Sequence, residues 1–257
     1  YTGPRIKLLL YGIAGPYADA KGSLRLEANA DSWALYSGLE LSVGVEMEMF
    51  DNQIADYSAT VLSHEEIVAE KTTPPTTVTI QPGPLEVDDA YVRLDTYSSI
   101  PPTYKGYGSS ALLEVSKEVW SNGSVTEEAL VKLPVISIPA NANISSAKLN
   151  LHGSCGSNIA SSFSVTVNTK KITKSWSESV KWDTKPSYDA TILNSVSVSG
   201  EKWYEFDITS LVQSWVNGGP NYGVAFLTSD NESWCSFKSS DYITNIGLRP
   251  KLVVSYR

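Results

Sequence analysis

The chain has 257 residues, a formal net charge of −8 and two cysteines, a length that allows one large domain or two ordinary ones, of which we expect two. No cluster of basic residues is longer than the pair Lys170-Lys171, so nucleic acid is not an expected partner. No apolar run approaches the roughly 20 residues of a membrane helix, so we expect no membrane insertion in this chain.

The composition favours an all-β protein outside the cell or at its surface. Tyr, Thr, Val and Ser are abundant, and short alternations of apolar and polar residues fill the chain; such usage is typical of strands. The sequence opens at Tyr1 without an initiator Met or a charged and apolar leader. We therefore expect a processed or excised form, in which a secretory signal that had been removed would not be visible.

Residues 1–71 predict a small β-rich module. Short strands are expected at 5–13, 22–28, 33–36, 39–49 and 56–62, separated by Gly, Pro, Asn and Asp. Within 39–49 the Leu, Val and Met residues fall on one face and the Glu residues on the other, which predicts one core face and one wet face. The core of so small a β-sandwich-like unit is marginal, so we expect an edge that a neighbour completes.

The segment 72–77, "TTPPTT", predicts a linker, because two prolines between threonines favour a solvated, extended backbone. Strand alternation then resumes and defines a second module at 78–257. Its predicted strands lie at 111–119, 127–133, 145–152, 162–169, 202–207, 222–228, 234–239 and 250–256. This number and spacing of strands is typical of a jelly-roll β-sandwich.

The stretch 203–227, "WYEFDITSLVQSWVNGGPNYGVAFL", changes its hydrophobic period twice. It begins as a strand, continues with apolar residues at i, i+3, i+4 and i+7 from Ile208, and returns to strand alternation at the end. One short helix is therefore predicted, with Asp207 or Thr209 as its cap and Gly218-Gly219-Pro220 as its stop.

Six segments in order resemble the DNRLRE family, which is related to disaggregatase repeats and to carbohydrate-binding modules. The segments, over roughly residues 78–257, are "DDAYV" at 88–92, "GYGSSALLEV" at 106–115, 129–153, "SWSESVKWDTKP" at 175–186, 203–226 and "RPKLVVSY" at 249–256. The resemblance implies a jelly-roll sandwich of secreted prokaryotic proteins, with sugar binding in some members. It does not imply catalysis.

Cys155 and Cys235 lie eighty residues apart in strand-like surroundings, and we favour a disulfide between them over two buried free thiols. Three sequons, at Asn122, Asn143 and Asn231, match the N-glycosylation pattern. Both features suit a secreted glycoprotein.

Aromatic residues in turn-rich segments are the candidates for sugar binding, because aromatic faces stack on the apolar side of a pyranose ring. They are Trp120, Tyr104, Tyr107 and Trp234. Trp176 and Trp182 share a strand face if that strand is unbroken, but their place in a family signature favours packing in the core.

No catalytic constellation emerges, so the chain is not expected to be an enzyme. Glu178 and Asp183 flank Trp182, but we expect them to be surface carboxylates. The two histidines, His64 and His152, belong to no ligand motif. No cofactor is expected. A weaker prediction is a calcium ion held by Asp88 and Asp89 with backbone carbonyls.

Three functions compete. The favoured one is a structural or adhesive surface protein, a filament or sheath subunit whose N-terminal strand, with Ile6, Leu8 and Leu10, pairs with a neighbour's open edge. Its partners would be copies of itself or other surface proteins. The alternative is a carbohydrate-binding module of a larger polysaccharide-active or surface protein, with polysaccharide as partner. A lyase or hydrolase ranks last.

Overall fold

The structure is a computed structural model that describes residues 5–7, 14–29, 32–49, 52–72, 74–97, 101–157 and 164–257. The chain divides into two units, Tyr1–Pro74 and Pro75–Arg257, and the division falls within the segment predicted as a linker. Strands dominate both units and the described residues contain one α-helix. The predicted all-β fold class is confirmed.

Unit 1 is a four-stranded antiparallel sheet in the order β1-β2-β3-β4. Its strands are β1 (Arg5–Lys7), β2 (Ala14–Ala28), β3 (Ser32–Met49) and β4 (Asn52–Thr72). The strands predicted separately at 33–36 and 39–49 form one strand, because Gly38 does not break the ladder and pairs with Ser23 and Glu65. The sheet has fewer and longer strands than the sequence predicted.

The two faces of unit 1 differ in polarity as the alternation predicts, but the apolar one is not buried. It consists of alternate positions from Pro16 to Ala28 in β2 and from Trp33 to Met47 in β3, with the paired positions of 55–62 in β4. Val45, for example, is 56% exposed, whereas Glu46 on the opposite face is 4% exposed. The described residues of unit 1 form one sheet, so none of them makes a second layer over the apolar face.

Unit 2 is built from twelve strands. They are β5 (Thr76–Ile80), β6 (Asp88–Asp95), β7 (Thr103–Tyr107), β8 (Leu112–Trp120), β9 (Gly123–Lys132), β10 (Ile144–Ser157), β11 (Val165–Ile172), β12 (Tyr188–Val198), β13 (Lys202–Asp207), β14 (Val224–Thr228), β15 (Ser233–Lys238) and β16 (Lys251–Tyr256). Two short 3-10 helices, Trp182–Thr184 and Ile246–Leu248, lie between strands.

These strands form the two layers of a sandwich. One layer has the order β12-β11-β14-β9-β6-β7 and the other β5-β16-β10-β13, while β15 and β8 link β10 back to β9. Phe206 of β13 and Phe226 of β14 meet with ring centroids 4.8 Å apart, although their strands are not hydrogen-bonded neighbours. Their contact therefore crosses the core between the layers.

The predicted helix is α1 (Thr209–Val216), and its apolar face closes one part of this core with Leu211, Val212 and Trp215. The carboxylate of Asp207 accepts the backbone N–H of Thr209 at 2.9 Å, and Gly218 has a φ of 90° just after the helix. A positive φ is costly for residues other than glycine, which explains why the helix stops where the sequence predicts.

A second apolar cluster lies on the outer side of the first layer, around Val92 and Leu130, and the segment 173–187 covers it. Trp176 and Trp182 of this segment pack against the cluster, and the Trp176 indole N–H donates to the carbonyl of Tyr222 at 2.8 Å. Gly106 has no space for a side chain because the backbone of Val180 lies against it. The segment thus packs directly on the sheet.

Cys155 and Cys235 are directly paired across β10 and β15 and form a disulfide. The bond links strands that are 80 residues apart in the chain. It joins the second layer to the strands that lead back to the first.

Truncation of the cross-layer contact tests this description of the core. We expect Phe206→Ala to lower the free energy of unfolding by about 3–5 kcal/mol, because it removes a fully buried ring and leaves a cavity. The matched control is Leu85→Ala, since Leu85 is 99% exposed, and we expect a change within about 0.5 kcal/mol. Urea unfolding followed by tryptophan fluorescence measures both. Equal losses for the two variants would contradict the assigned core.

Candidate functional site

One continuous face of unit 2 collects charged and aromatic side chains. In an antiparallel sheet, directly opposed residues point to the same side, and the register aligns Arg93 of β6, Glu127 of β9, Ser116 of β8 and Trp234 of β15 in one row. We call this surface the polar face. Its charged, polar and aromatic residues include Tyr91, Arg93, Asp95, Lys105, Tyr107, Glu114, Ser116, Glu118, Trp120, Glu127, Trp234, Ser236 and Lys238.

The floor of the polar face is a fixed network. The guanidinium of Arg93 contacts Asp95 at 3.1 Å and Glu127 at 2.9 Å. Glu127 also accepts the hydroxyl of Ser116 at 2.9 Å, and Glu114 accepts that of Ser236 at the same distance. Buried charges are tolerated when they are paired and hydrogen-bonded, and these contacts hold the side chains in place.

The electrostatic field of this floor is negative. Burial raises the pKa of Glu118 and of Glu114, and the nearby charge of Glu127 raises both further. Burial together with the charges of Glu127 and Glu114 raises the pKa of Tyr91 to about 12. Each shift disfavours an additional negative charge, so an anion is poorly accommodated here.

Exposed aromatic rings lie at two ends of the polar face. Trp120, at the end of β8, is 38% exposed and contacts Tyr97, which is 44% exposed, with ring centroids 4.5 Å apart. Trp234, 39% exposed, lies across Gly156, where any side chain would collide with the indole. Half-exposed rings held by a rigid scaffold are suitable platforms for a sugar ring.

The motif "GYG" at 106–108 positions a third aromatic residue. Gly106 and Gly108 lie against the backbone of 178–181, which places the Tyr107 ring on the opposite side, stacked on Tyr91 at 4.3 Å. Tyr107 is half-buried in this stack. It therefore lies at the β7 end of the polar face.

Of the four aromatic candidates from the sequence, the structure brings Tyr107, Trp120 and Trp234 onto one face. Tyr104 is not among them, because it pairs with Leu94 and so points to the other side of the sheet. Tyr104 is exposed there.

The predicted calcium pair is not brought together. Asp88 and Asp89 are consecutive in β6 and point to opposite faces, and Asp88 forms an ion pair with Lys132. Asp89 instead places a carboxylate oxygen within 4.8 Å of oxygens of Glu178 and Asp241. Such oxygen ligands suit Ca²⁺, so among the described residues this trio is the arrangement that could hold the predicted ion.

The remaining predicted residues lie apart from the polar face or outside the described chain. Ile6 is part of β1, which pairs with β2, and Leu8 and Leu10 lie outside the described residues. The sequon residues are all exposed, at Asn122, Asn143 and Asn231. Their modification stays a prediction.

Sequence reasoning missed Tyr97, Arg93 and the acidic residues of the polar face. A signal was present in β8, where Glu114, Ser116, Glu118 and Trp120 alternate with Leu113 and Val115. The alternation indicates a polar side, but a wet strand face has the same pattern. Only the register, which places these side chains beside Arg93 and Trp234, distinguishes a candidate binding face from an ordinary solvent-exposed strand face.

None of the helices in the described part of the chain combines the length and the apolar character needed to cross a bilayer.

Comparison with known proteins places these residues in a family. Residues 84–256 match the family described as carbohydrate-binding module family 96. Three curated relatives are each 34% identical over 79 residues, which is 30% of this chain and 3% of the relative. They are the tRNA nuclease WapA of Bacillus subtilis strain 168, the tRNA3(Ser)-specific nuclease WapA of Bacillus spizizenii and the tRNA(Glu)-specific nuclease WapA of Bacillus subtilis subsp. natto.

The buried carboxylate of Asp89 makes a testable contribution to stability. Burial raises its pKa from 3.8 to about 6, although Ser240 donates two hydrogen bonds to it. The folded state therefore holds the proton more tightly than the unfolded chain. The resulting destabilisation, about 3 kcal/mol at 1.36 kcal/mol for each pKa unit, is absent below about pH 4 and complete above about pH 6.

We expect Asp89→Asn, measured by urea unfolding in a metal chelator, to be less destabilising relative to wild type at pH 7 than at pH 4. The variant lacks the carboxylate that must ionise in the interior, but it also loses one acceptor for Ser240. The control is Leu85→Ala, which changes an exposed side chain that does not titrate, and its difference from wild type should be equal at the two pH values. An Asp89→Asn effect that is independent of pH would contradict the assignment.

Proposed function

The chain belongs to carbohydrate-binding module family 96 through residues 84–256, and on this premise we propose that it binds polysaccharide, without catalysis, through the polar face. The observation that carries this proposal is the exposed Tyr97–Trp120 pair beside the carboxylate of Glu118. An aromatic platform next to a hydrogen-bond acceptor provides both contacts that a pyranose ring needs.

Stacking and hydrogen bonding use separate side chains in this arrangement. The indole of Trp120 offers its face to the C–H side of a sugar ring. Glu118 lies two residues earlier in β8, on the same side of the strand. An ionised carboxylate accepts hydrogen bonds only, and its two oxygens match two neighbouring hydroxyl groups. A polyol therefore supplies the donors that Glu118 requires.

Preorganisation supports this function. Arg93 and Glu127 are fixed by their mutual contact and by Asp95 and Ser116, so the floor loses little conformational freedom when a ligand binds. Fewer side chains ordered on binding means that more of the contact free energy contributes to affinity.

The charge of the polar face selects among polysaccharides. It carries the carboxylates of Asp95, Glu114, Glu118 and Glu127 against three cations, Arg93, Lys105 opposite it in β7 and Lys238 two residues after Ser236 in β15, so carboxylates are in excess. A uronate polymer would bring further negative charge to groups whose pKa is already raised. We infer that the ligand is a neutral, hydroxyl-rich glycan.

The similarity to WapA does not carry a nuclease function to this chain, since it spans 3% of those proteins. It suggests that the same kind of module recurs within much larger proteins. We propose that the module attaches a larger protein to a glycan outside the cell. The Cys155–Cys235 disulfide is consistent with that compartment.

The comparisons give the filament or sheath hypothesis no support. Strand addition through the N-terminal segment stays a prediction. Carbohydrate binding, named in the sequence analysis as the alternative, has the stronger basis.

Replacement of the platform residue tests the proposed function. We expect Trp120→Ala to weaken binding about tenfold or more, since a tenfold loss corresponds to about 1.4 kcal/mol and the variant removes the whole stacking surface. Affinity gel electrophoresis with soluble β-glucan, galactomannan and xylan measures it. Tyr104→Ala is the matched control, because it removes an exposed ring from the opposite side of the same sheet. Unchanged affinity in Trp120→Ala would reject this platform.

A second test concerns charge. At low salt we expect neutral polysaccharides to retard the protein while alginate and polygalacturonate do not. Glu118→Gln should weaken neutral binding about tenfold, because hydrogen bonds to a charged acceptor contribute about 1.5–3 kcal/mol, and should narrow the discrimination against uronates. The control Glu205→Gln changes an exposed carboxylate on β13. Stronger binding of uronates than of neutral glycans would refute the proposed selection by charge. The proposed stacking site would then be tested by Trp120→Ala alone.

A further inference from the structure

We propose that the apolar face of unit 1 packs against the same face of a second copy of this chain, giving a two-sheet sandwich across a two-fold axis. This inference concerns a surface outside the family module and does not depend on the proposed function.

The face is at the upper limit of the apolar surface that a monomer ordinarily exposes. Large side chains are exposed along all three strands that form it, among them Leu24, Leu26, Val43, Val45, Tyr57 and Val61. β2 and β3 carry the face over about 50 Å along Trp33–Met47, and β4 adds about 24 Å at 55–62, which at about 4.8 Å for each strand gives about 600 Å² of projected area. The largest apolar patch of a typical monomer is about 300–600 Å².

The estimated area approaches what a dimer requires. A specific interface of standard size buries about 800 Å² on each partner, and the accessible surface of a corrugated sheet exceeds its projected area. Isolated sheets also need a covered apolar face for stability, and two such faces pack about 10 Å apart in a sandwich. A second copy provides a cover of equal length and width.

The distribution of charge favours a copy of this chain as the occupant. The apolar face carries no charged residue at the alternate positions of β2 from Pro16 to Ala28 or of β3 from Trp33 to Met47. On β4 the same side carries Glu66, opposite Ser37, and Lys71, opposite Trp33. These charges lie at the β4 edge of one end of the face and have both signs, although the chain as a whole has a charge of −8. The opposite face has Asp19, Lys21, Glu40 and Glu46 among its residues and stays in water or in polar contacts.

An isologous interface follows from this symmetry. A two-fold axis sets each residue of the patch against the same patch on the partner, so one substitution on the face acts twice. A lysine near the middle of β3 would introduce two like charges into an apolar interface, which strongly opposes association.

Light scattering coupled to size exclusion tests the proposal with the full chain. We expect wild type to have twice the chain mass of 27.9 kDa at micromolar concentration, and Val43→Lys to have the mass of one chain. Ser63→Lys is the matched control, since Ser63 pairs with Glu40 on the opposite face of the same sheet and is exposed; it should stay dimeric. A wild type that is monomeric at every concentration, or a Val43→Lys dimer, overturns the proposal.

A measurement on the unmodified protein avoids the risk that Val43→Lys misfolds. Met47 lies on the apolar face and is 46% exposed within the chain. Its thioether is oxidised to the sulfoxide by hydrogen peroxide when accessible. We expect its oxidation rate, followed by mass spectrometry of peptides, to fall severalfold as protein concentration rises through the dimer range. A rate that is independent of concentration overturns the proposal.

Discussion

The alternation of side chains across paired strands is the constraint on which the rest of the structure depends. In unit 2 it sends Phe206, Phe226 and Phe237 into one core, where their rings meet edge to face. The same alternation sends the intervening residues of β8 and β15 to the other side. Because Leu113 and Val115 are fully buried, the alternate residues Glu114, Ser116 and Glu118 must point to the polar face. Core packing and the candidate site are therefore two consequences of one register.

The site is stable because its polar groups satisfy one another before any ligand arrives. Arg93 bridges Asp95 and Glu127, and the Ser116 hydroxyl donates to the other carboxylate oxygen of Glu127. Trp120 and Trp234 lie at the rim of this network, on strands that the core fixes. Stacking surfaces and hydrogen-bond acceptors are thus held at set positions, which suits recognition of a repeating polymer more than chemistry on it. Such a preformed recognition surface agrees with membership of a binding-module family.

The sequence predicted much of the fold and only part of the site. The change of period after Asp207 identified α1, and the aromatic residues of turn-rich segments included Tyr107, Trp120 and Trp234. Arg93 and Glu118 were missed because their neighbours in the site are set by pairing between strands far apart in the chain, such as the pairing of Ser116 with Trp234. The calcium pair was chosen from neighbours in sequence, whereas Asp89 meets Glu178 and Asp241 through folding. In unit 1 the alternation correctly predicted which residues share the apolar face, but periodicity carries no information about what covers that face.

Nuclear magnetic resonance tests the central claim most directly, since the seven tryptophans are natural reporters. In a titration with a neutral oligosaccharide that the protein binds, the indole N–H signal of Trp120 should shift, with a smaller change for Trp234. The signals of Trp176, whose indole donates to Tyr222, and of Trp203, on the outer side of β13, should stay in place. Shifts confined to Trp176, Trp182 or Trp203, with Trp120 unmoved, would contradict a binding site on the polar face.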